Sequence, residues 1–415
     1  MSRAISRVLA VAWIGLIASA ALGRADTLKI AYVDPLSGGG ASVGQVGLEH
    51  FQYIADQVNA KGGVLGMKVE ILGYDDKTNP QEALVQVQKA IDAGARIIAQ
   101  GNGSSVGAAI EDFVAKYDDR NPGKEVVYIN YAAVDPSLTN AKCSYWHFRW
   151  DANSDIKMEA LTSYMKTRPA IKKVYLINQD YSFGQSVRTE ARKMLAQKRP
   201  DIQIVGDELH PLLKITDFSP YIAKIKASGA DSVITGNWGQ DIALLLKAAA
   251  DAGLQADWYT YYAGGAGGPT AIRQANLADR VFAMVEGFPN LDYAPAREAE
   301  KEFRAKLNGQ SLWYPRVFNM MSMVFRAIEE AKSPDPVKFA PKLEGMKITT
   351  FDGGEGFMRA ADHQFFQDMF VVTFGPLGAN QPFDEEHTGW GTKLAGKVPA
   401  DQTVLPTTCK MQRPS

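Results

Sequence analysis

Short apolar runs alternate with amphipathic stretches along most of this chain. LKIAYV, MKVEILGY and RIIAQ are typical of buried strands, because they are short, rich in β-branched residues and bounded by turn residues. LEHFQYIADQVNAK and QEALVQVQKAIDAG carry apolar residues three and four positions apart, which predicts helices packed on those strands. Asn79 and Pro80 supply a cap and a first-turn proline for the second helix. The repeating order predicts a mostly parallel sheet flanked by helices.

The same alternation begins again near residue 150. KKVYLINQ, IQIVGDE, DSVITG and WYTYY read as strands separated by helical patterns, and two long helical patterns follow them. We expect those two helices, AREAEKEFRAKL and RVFNMMSMVFRAIEEA, to return to the first domain. The sequence therefore predicts an α/β fold with two doubly wound lobes and a ligand cleft at the carboxyl ends of the strands.

The predicted boundaries follow from these patterns. Lobe 1 takes residues 26–149 and 287–350, and lobe 2 takes residues 150–286 and 351–385. Three crossovers join the lobes, near residues 148–152, 286–289 and 348–353. Residues 386–415 are expected to form an aperiodic C-terminal tail that wraps the surface.

The first 25 residues differ from the rest. Arg3 and Arg7 precede the apolar run VLAVAWIGLIASAAL, and the small residues Gly23 and Ala25 follow it at positions −3 and −1 of a cleavage site. A charged start, an apolar centre and a small-residue end are typical of a secretory signal peptide. A single membrane anchor is the alternative, but the run is shorter than the ~20 residues that a spanning helix needs. We expect cleavage after Ala25 and export of the mature chain.

Composition and charge argue against several classes of partner. The 415 residues include 45 basic and 46 acidic side chains, for a net charge of −1, without a basic tail or stripe. Nucleic-acid binding is therefore disfavoured. The histidines are isolated, and neither they nor the cysteines show the spacing of a metal site. We expect no metal, no cofactor and no nucleic acid.

The stretch IIAQGNGSSVGAAIEDF joins a strand end to a helix start. Glycines and hydroxyls at a helix N-terminus favour an anion, because the first backbone amides lack partners within the helix. The P-loop lysine is missing, and so is the third glycine of a dinucleotide fingerprint. The turn also matches the G-x-S-x-G elbow of a secreted α/β serine hydrolase, with Ser105 as nucleophile and His363 or His387 downstream. No HGGG-like oxyanion loop precedes it, so reversible binding of a small carboxylate is the favoured interpretation.

Several segments resemble one family. LKIAYVDPLSGGGASVG, IADQVNAKGGVLGMKVEILGYDDKTNPQEALVQVQKAI, GNGSSV and YINYAAVDPSLT are similar, in this order, to the periplasmic leucine/isoleucine/valine-binding proteins. These are the type I solute-binding proteins of ABC transporters. The resemblance implies a monomeric periplasmic receptor, not an enzyme. Such a receptor closes on a small ligand and docks on separate membrane permease subunits.

The resemblance also implies residues that hold the ligand carboxylate. In the family a serine after the third strand does so, and Ser104 matches it, with Ser105 beside it. The family's Gly-Ala-Thr loop after the fourth strand matches Ala132, Ala133 and Val134. A valine therefore stands where a threonine hydroxyl would bind the carboxylate.

The aromatic positions leave two ligand classes open. Phe183 and Trp238 match aromatic positions of the family, and the acid that pairs with an ammonium should stand where Tyr262 or Ala263 is found. The missing acid favours an aromatic or other amine-free organic acid, whereas the resemblance favours a branched-chain or related amino acid. Another acid, from among Asp34, Asp180 and Asp241, would restore amino-acid binding if it reached the ammonium. The residues expected to wall in the ligand are Tyr131, Phe183, Trp238, Tyr261 and Tyr262.

Two cysteines, Cys143 and Cys409, lie far apart in the sequence. In an oxidising compartment such a pair predicts one disulfide, and two unrelated buried thiols are the alternative. A disulfide here would fasten the tail to the segment before the first crossover.

Overall fold

A computed structural model describes residues 27–414 of the chain. The predicted signal peptide, with its cleavage after Ala25, lies outside these residues. Within them, no helix is long and apolar enough to cross a membrane.

The secondary structure follows the predicted alternation over most of the chain. The strands are β1 (Thr27–Asp34), β2 (Lys68–Asp75), β3 (Ile97–Gln100), β4 (Val127–Asn130), β5 (His147–Arg149), β6 (Lys173–Gln179), β7 (Gln203–His210), β8 (Ser232–Thr235), β9 (Asp257–Thr260), β10 (Val281–Val285), β11 (Lys347–Thr349), β12 (Glu355–Arg359), β13 (Gln364–Phe366), β14 (Met369–Pro376) and β15 (Trp390–Val398). The helices are α1 (Ala41–Asn59), α2 (Pro80–Asp92), α3 (Ser104–Arg120), α4 (Ser154–Met165), α5 (Ser182–Lys198), α6 (Ser219–Ser228), α7 (Gln240–Asp251), α8 (Gly268–Gln274), α9 (Ala294–Lys306), α10 (Pro315–Ala331) and α11 (Pro336–Leu343).

Two sheets organise the molecule, which confirms the predicted two-lobed α/β fold. The sheet of lobe 1 has the strand order β11-β12-β13-β5-β4-β3-β1-β2, with β1 to β5 parallel. The sheet of lobe 2 has the order β15-β14-β10-β9-β8-β6-β7, with β6 to β10 parallel. Helices α1, α2, α3, α10 and α11 bury their apolar faces in the core of lobe 1, whereas α4 to α8 pack on the sheet of lobe 2.

Local sequence signals account for individual elements. Asn79 caps α2 as predicted, because its Oδ1 accepts from the backbone amides of Gln81 at 2.9 Å and Glu82 at 3.0 Å, with Pro80 in the first turn. The helix α9 lies between the lobes, since Ala296 packs in the core of lobe 2 and Phe303 in that of lobe 1. The chain therefore returns to lobe 1 along α9, a few residues beyond the predicted crossover at 286–289.

The third crossover lies later than the sequence predicts. Residues 348–353 were expected to lead into lobe 2, but β11 and β12 form an antiparallel hairpin at the edge of the lobe 1 sheet. Gly353, with φ of 84°, makes the tight turn of this hairpin, and β13 then pairs in parallel with β5 through Gln364 and Arg149. Met358 and Phe365 pack in the core of lobe 1. The chain passes to lobe 2 at residues 367–368, so residues 351–366 belong to lobe 1.

The predicted tail contains a strand. Residues 390–398 pair antiparallel with β14 along its length and form the edge of the lobe 2 sheet as β15. Its sequence, WGTKLAGKV, mixes glycines and lysines with apolar residues, which hides the alternation but suits an edge strand. The aperiodic tail therefore begins after Val398 rather than at residue 386.

The predicted disulfide between Cys143 and Cys409 is confirmed, with 5.7 Å between the two Cα atoms. Hydrogen bonds continue the attachment of the tail to lobe 1. Thr407 Oγ1 donates to the carbonyl of Thr139 at 3.2 Å, and the amide of Thr408 donates to Asn140 Oδ1 at 2.9 Å. The tail is therefore held to lobe 1 by a covalent bond and by hydrogen bonds between side chains and the backbone beside it.

Replacing both cysteines by serine should lower the stability of the protein. The bond closes a chain segment with a sequence separation of 266 residues. Restricting a segment of this length in the unfolded chain stabilises the fold by roughly 5 kcal/mol on entropic grounds, of which proteins commonly retain about 2–4 kcal/mol. Denaturant unfolding of the wild-type protein and the Cys143→Ser/Cys409→Ser variant measures the loss.

The variant also serves as the control for this prediction. A reductant should lower the stability of the wild-type protein to that of the variant and leave the variant unchanged. Two thiols that react with an alkylating agent in the native protein without reductant would contradict the disulfide.

Candidate functional site

A cavity lies between the two lobes, at the carboxyl ends of their parallel strands. Lobe 1 contributes the segments after β3 and β4 and the start of α10, and lobe 2 contributes the segments after β6, β8 and β9. Open α/β sheets bind ligands at such strand ends. The predicted site residues that line the cavity are Ser104, Ala132, Phe183, Trp238, Tyr261 and Tyr262, whereas Ser105, Tyr131 and Ala133 lie outside its lining.

Ser104 is prepared to donate a hydrogen bond into the cavity. Its Oγ accepts hydrogen bonds from the backbone amides of Val134 and Asp135, each at 3.1 Å. A hydroxyl has two lone pairs and one hydrogen, so Ser104 keeps its hydrogen for a further partner. The helix α3 begins at this residue because Gly103 adopts a φ of 97°, and no side chain caps the first-turn amides. A hydroxyl donor at an uncapped helix N-terminus favours an anion.

The alanines after β4 bring this loop close to α3. Asn130 Oδ1 accepts from the amides of Ala132 at 3.1 Å and Ala133 at 2.7 Å, which fixes the turn. Ala132 reaches the cavity, but Ala133 packs against Gly107 of α3, where an added Cβ would lie 2.8 Å from that of Ala133. Ala133 is therefore a packing residue that allows the close approach on which the Ser104 contacts depend.

Tyr131 does not belong to the cavity wall, contrary to the sequence-based expectation. Its hydroxyl donates to Asp34 Oδ2 at 2.7 Å and accepts from Asn102 Nδ2 at 2.8 Å inside lobe 1. Asp34 also accepts from the amides of Gly101 at 3.2 Å and Asn102 at 2.8 Å. Burial raises the pKa of Asp34 to about 7, although the hydrogen bonds from Tyr131 and Asn102 oppose the rise. Both side chains hold the turn before α3 in place.

The aromatic residues after β6 and β8 form one wall of the cavity. Phe183 and Trp238 are buried, and both line the cavity as predicted. Trp238 Nε1 donates to the hydroxyl of Tyr181 at 2.8 Å, so the indole satisfies its polar atom within lobe 2. The sequence analysis did not single out Tyr181, which also lines the cavity and retains its hydroxyl hydrogen.

The tyrosines after β9 present their rings rather than their hydroxyls. The hydroxyl of Tyr261 donates to the carbonyl of Ser154 at 2.8 Å, and that of Tyr262 donates to Asp151 Oδ2 at 2.9 Å. Burial, with a further contribution from the charge of Asp151, raises the pKa of Tyr262 well above its ordinary value. Both hydroxyl hydrogens are therefore occupied by protein acceptors.

Arg316 and Glu286 are charged residues that line the cavity, and neither was identified from the sequence. Arg316 donates through Nη1 to Glu286 Oε1 and through Nε to the carbonyl of Tyr131 at 2.6 Å, and its Nη2 lies 3.6 Å from Asp151 Oδ2. Lys157 Nζ lies 2.7 Å from Asp151 Oδ1. The four charged side chains therefore alternate in sign and sum to zero. Burial alone would lower the pKa of Arg316, but the charges of Asp151 and Glu286 outweigh it and hold the pKa above its ordinary value.

The position of Glu286 in the chain could have identified it as a candidate site residue. It directly follows β10, and strand ends of this sheet face the cavity. The acids considered from the sequence lie elsewhere: Asp241 accepts from Gln179 Nε2 and the amide of Leu213, each at 2.8 Å, and Asp180 is exposed. Together with Asp34, they lie outside the lining of the cavity.

The arrangement around Ser105 does not resemble a nucleophile with its base. His363 is held by Glu344 at 2.8 Å and by the carbonyl of His147 at 3.2 Å. His387 packs against Gly309, where an added Cβ would lie 2.5 Å from the imidazole Cε1. Among residues 27–414 no group of three acidic, histidine or cysteine side chains could hold a metal ion.

Comparisons with known proteins agree with this architecture. The family model described as "Periplasmic binding protein" matches residues 27–379. The Leu/Ile/Val-binding protein homolog 4 of Brucella abortus is 33% identical over 411 residues, covering 96% of each chain. The closed conformation of a leucine-, isoleucine-, valine-, threonine- and alanine-binding protein from Brucella ovis is 32% identical, with a TM-score of 0.83 over 94% of this chain and 100% of that one.

A more distant structure shares the fold. A solute-binding protein from R. palustris in complex with benzoate has a TM-score of 0.77 and 18% identity, over 92% of this chain and 99% of that one. The family match and the Brucella relatives decide the classification, and these relatives are solute-binding proteins, not enzymes. The chain belongs to the periplasmic binding protein family.

Proposed function

We propose that this protein captures a small carboxylate with a largely apolar body by closing its two lobes, and delivers it to the permease subunits of an ABC importer. It acts as a monomer in the periplasm after cleavage of the N-terminal signal near Ala25. The observation that carries the proposal is Ser104, whose one free hydrogen and helix N-terminus lie in a cavity lined by both lobes.

The chemistry of the walls supports an apolar ligand body. The cavity is lined by aromatic rings whose polar atoms are mostly satisfied within the protein, as for Trp238, Tyr261 and Tyr262. Rings of this kind contact a flat or branched apolar group and need no hydrogen bond from it. The Brucella ovis relative binds leucine, isoleucine, valine, threonine and alanine according to its name, and the R. palustris structure contains benzoate. Both ligand classes consist of a carboxylate on a largely apolar body.

Contacts across the rim support closure as the capture step. A side chain on Gly39 of lobe 1 would lie 3.0 Å from Gln240 Nε2 and 3.1 Å from Leu213 Cβ, both of lobe 2. The lobes therefore approach each other closely at this edge of the cavity. A ligand drives such a closure by the difference in its affinity for the closed and open forms.

Replacing Ser104 by alanine should weaken ligand binding about 10- to 150-fold, because a hydrogen bond to a charged group contributes roughly 1.5–3 kcal/mol. Isothermal titration calorimetry with a carboxylate ligand found by thermal-shift screening measures the change. Ser105→Ala is the matched control, since Ser105 lies outside the cavity lining and should leave affinity unchanged. Equal losses in the two variants would contradict the assignment of the carboxylate to Ser104.

Blocking the rim should separate ligand affinity from folding stability. Gly39 does not adopt a left-handed conformation, so Gly39→Leu should fold normally while its side chain obstructs the closed form. We expect affinity to fall roughly tenfold or more, because overpacked contacts typically cost about 1–3 kcal/mol. The ligand-induced decrease in the radius of gyration, measured by small-angle X-ray scattering, should shrink in parallel.

Gly378 supplies the control for this second variant. It is exposed on the loop after β14, and Gly378→Leu should bind ligand and contract like the wild-type protein. A Gly39→Leu protein that keeps full affinity and full contraction would argue against closure at this rim.

A further inference from the structure

We propose that Glu286 determines ligand specificity by accepting a hydrogen bond from a donor group that the ligand carries in addition to its carboxylate. This inference rests on the proposed function above. In this proposal the cavity offers the ligand a hydrogen-bond donor at Ser104 and a hydrogen-bond acceptor at Glu286.

One carboxylate oxygen of Glu286 has no partner within the described part of the chain. The side chain is 4% exposed and lines the cavity, and its Oε1 accepts from Arg316. No residue between 27 and 414 donates a hydrogen bond to Oε2. This oxygen is not fully enclosed by protein atoms, so it retains accessible surface in a side chain that lines the cavity. A donor entering the cavity with the ligand would supply the missing partner.

Arg316 already has partners within the protein on all three of its side-chain nitrogens. Its Nε donates to the carbonyl of Tyr131, its Nη1 donates to Glu286, and its Nη2 lies 3.6 Å from Asp151 Oδ2. These contacts with the protein are the reason for assigning the ligand carboxylate to Ser104 rather than to Arg316. The carboxylate has its donors at Ser104 and the first turn of α3. Ser104 and the first turn of α3 thus donate hydrogen bonds to the ligand, whereas Glu286 accepts one from it.

The charges at and behind the cavity wall balance. Glu286 and Arg316 line the cavity, Asp151 and Lys157 are paired behind them, and the four charges sum to zero. A ligand with a carboxylate alone would add one negative charge, balanced by the α3 dipole and hydrogen bonds. A ligand whose donor is an ammonium would add no net charge and would meet Glu286 with the opposite sign. Tyr262 at the position where the family resemblance implies an acid does not therefore prevent recognition of a cationic donor.

The experiment compares ligands that differ in the donor group while the carbon skeleton stays the same. One series is leucine, 2-hydroxy-4-methylpentanoate and 4-methylpentanoate, and the other is 4-aminobenzoate, 4-hydroxybenzoate and benzoate. Calorimetry or thermal shift with the wild-type protein should show, in whichever series binds, at least about tenfold tighter binding of a donor-bearing member than of the member without a donor.

Glu286→Gln and Glu300→Gln test whether Glu286 is the source of this preference. In Glu286→Gln the donor-bearing ligand should lose about tenfold or more in affinity, while the ligand without a donor stays within about threefold. Glu300 is the matched control, because it is buried and paired with Arg304 on α9 but does not line the cavity. Glu300→Gln should keep the wild-type order of affinities.

Each contrary outcome has its own meaning. Equal or tighter binding of the donor-free members by the wild-type protein overturns the role of Glu286 and leaves the proposed carboxylate receptor intact. An equal loss for all ligands in Glu286→Gln also overturns it, since Glu286 then serves only the fold. If no carboxylate of either series binds the wild-type protein, the proposed function fails, and this inference fails with it. The wild-type comparison decides the matter even if Glu286→Gln does not fold.

Discussion

The positive charge of Arg316 is buried in the first turn of α10, where the helix dipole disfavours a cation. Of its partners, Asp151 lies in the first crossover, and Glu286 directly follows β10, where the segment that leads through α9 back to lobe 1 begins. One turn further along α10, Asn319 Nδ2 donates to Gln367 Oε1 in the third crossover at 2.8 Å. A single helix of lobe 1 therefore contacts all three connections. Removing one member of a buried ion pair typically costs about 3–5 kcal/mol, so these contacts strongly constrain the relative placement of the lobes.

The candidate site depends on the same contacts. Arg316 binds the carbonyl of Tyr131, and the loop after Tyr131 supplies the two amides that occupy the lone pairs of Ser104. On the other side of the cavity, the ring of Tyr262 is held by its hydrogen bond to Asp151, which also faces Arg316. Ser104 and part of the aromatic wall are thus positioned through one buried network. Replacing Arg316 or Asp151 would therefore affect stability and the geometry of the cavity together, and the control variants lie outside this network.

The sequence predicted those site residues whose position depends on the local pattern of strands and helices. Ser104, Phe183, Trp238 and Tyr262 follow strands and precede helices or turns, so strand-end geometry alone brings them to the cavity. Side-chain direction after a strand depends on the turn that follows, and Asn130 sets that turn so that Tyr131 bonds to Asp34 inside lobe 1.

Long-range pairing was the other limit of the sequence analysis. The hairpin of β11 and β12 reaches lobe 1 through β13 and β5, strands that are more than 200 residues apart, and nothing in the local pattern of residues 348–366 indicates that partner. Glu286 and Arg316 were missed for the same reason, because the ion pair between them cannot be read from the local pattern around either residue.

The hydrogen bonds within the protein decide which side chains of the cavity offer apolar surface and which offer polar contacts. Tyr261, Tyr262 and Trp238 use their polar hydrogens on acceptors of the protein, so they contribute apolar faces that accept many shapes at similar strength. Under the proposed function, discrimination then comes from the few polar atoms that remain available, among them the hydrogens of Ser104 and Tyr181 and the second oxygen of Glu286. A site that is built to hydrogen-bond a group rejects an analogue lacking it far more strongly than an apolar wall rejects a changed methylene. The proposed receptor would therefore select its ligand mainly by the spacing of the ligand's polar groups, and the aromatic rings would limit the size of the apolar body.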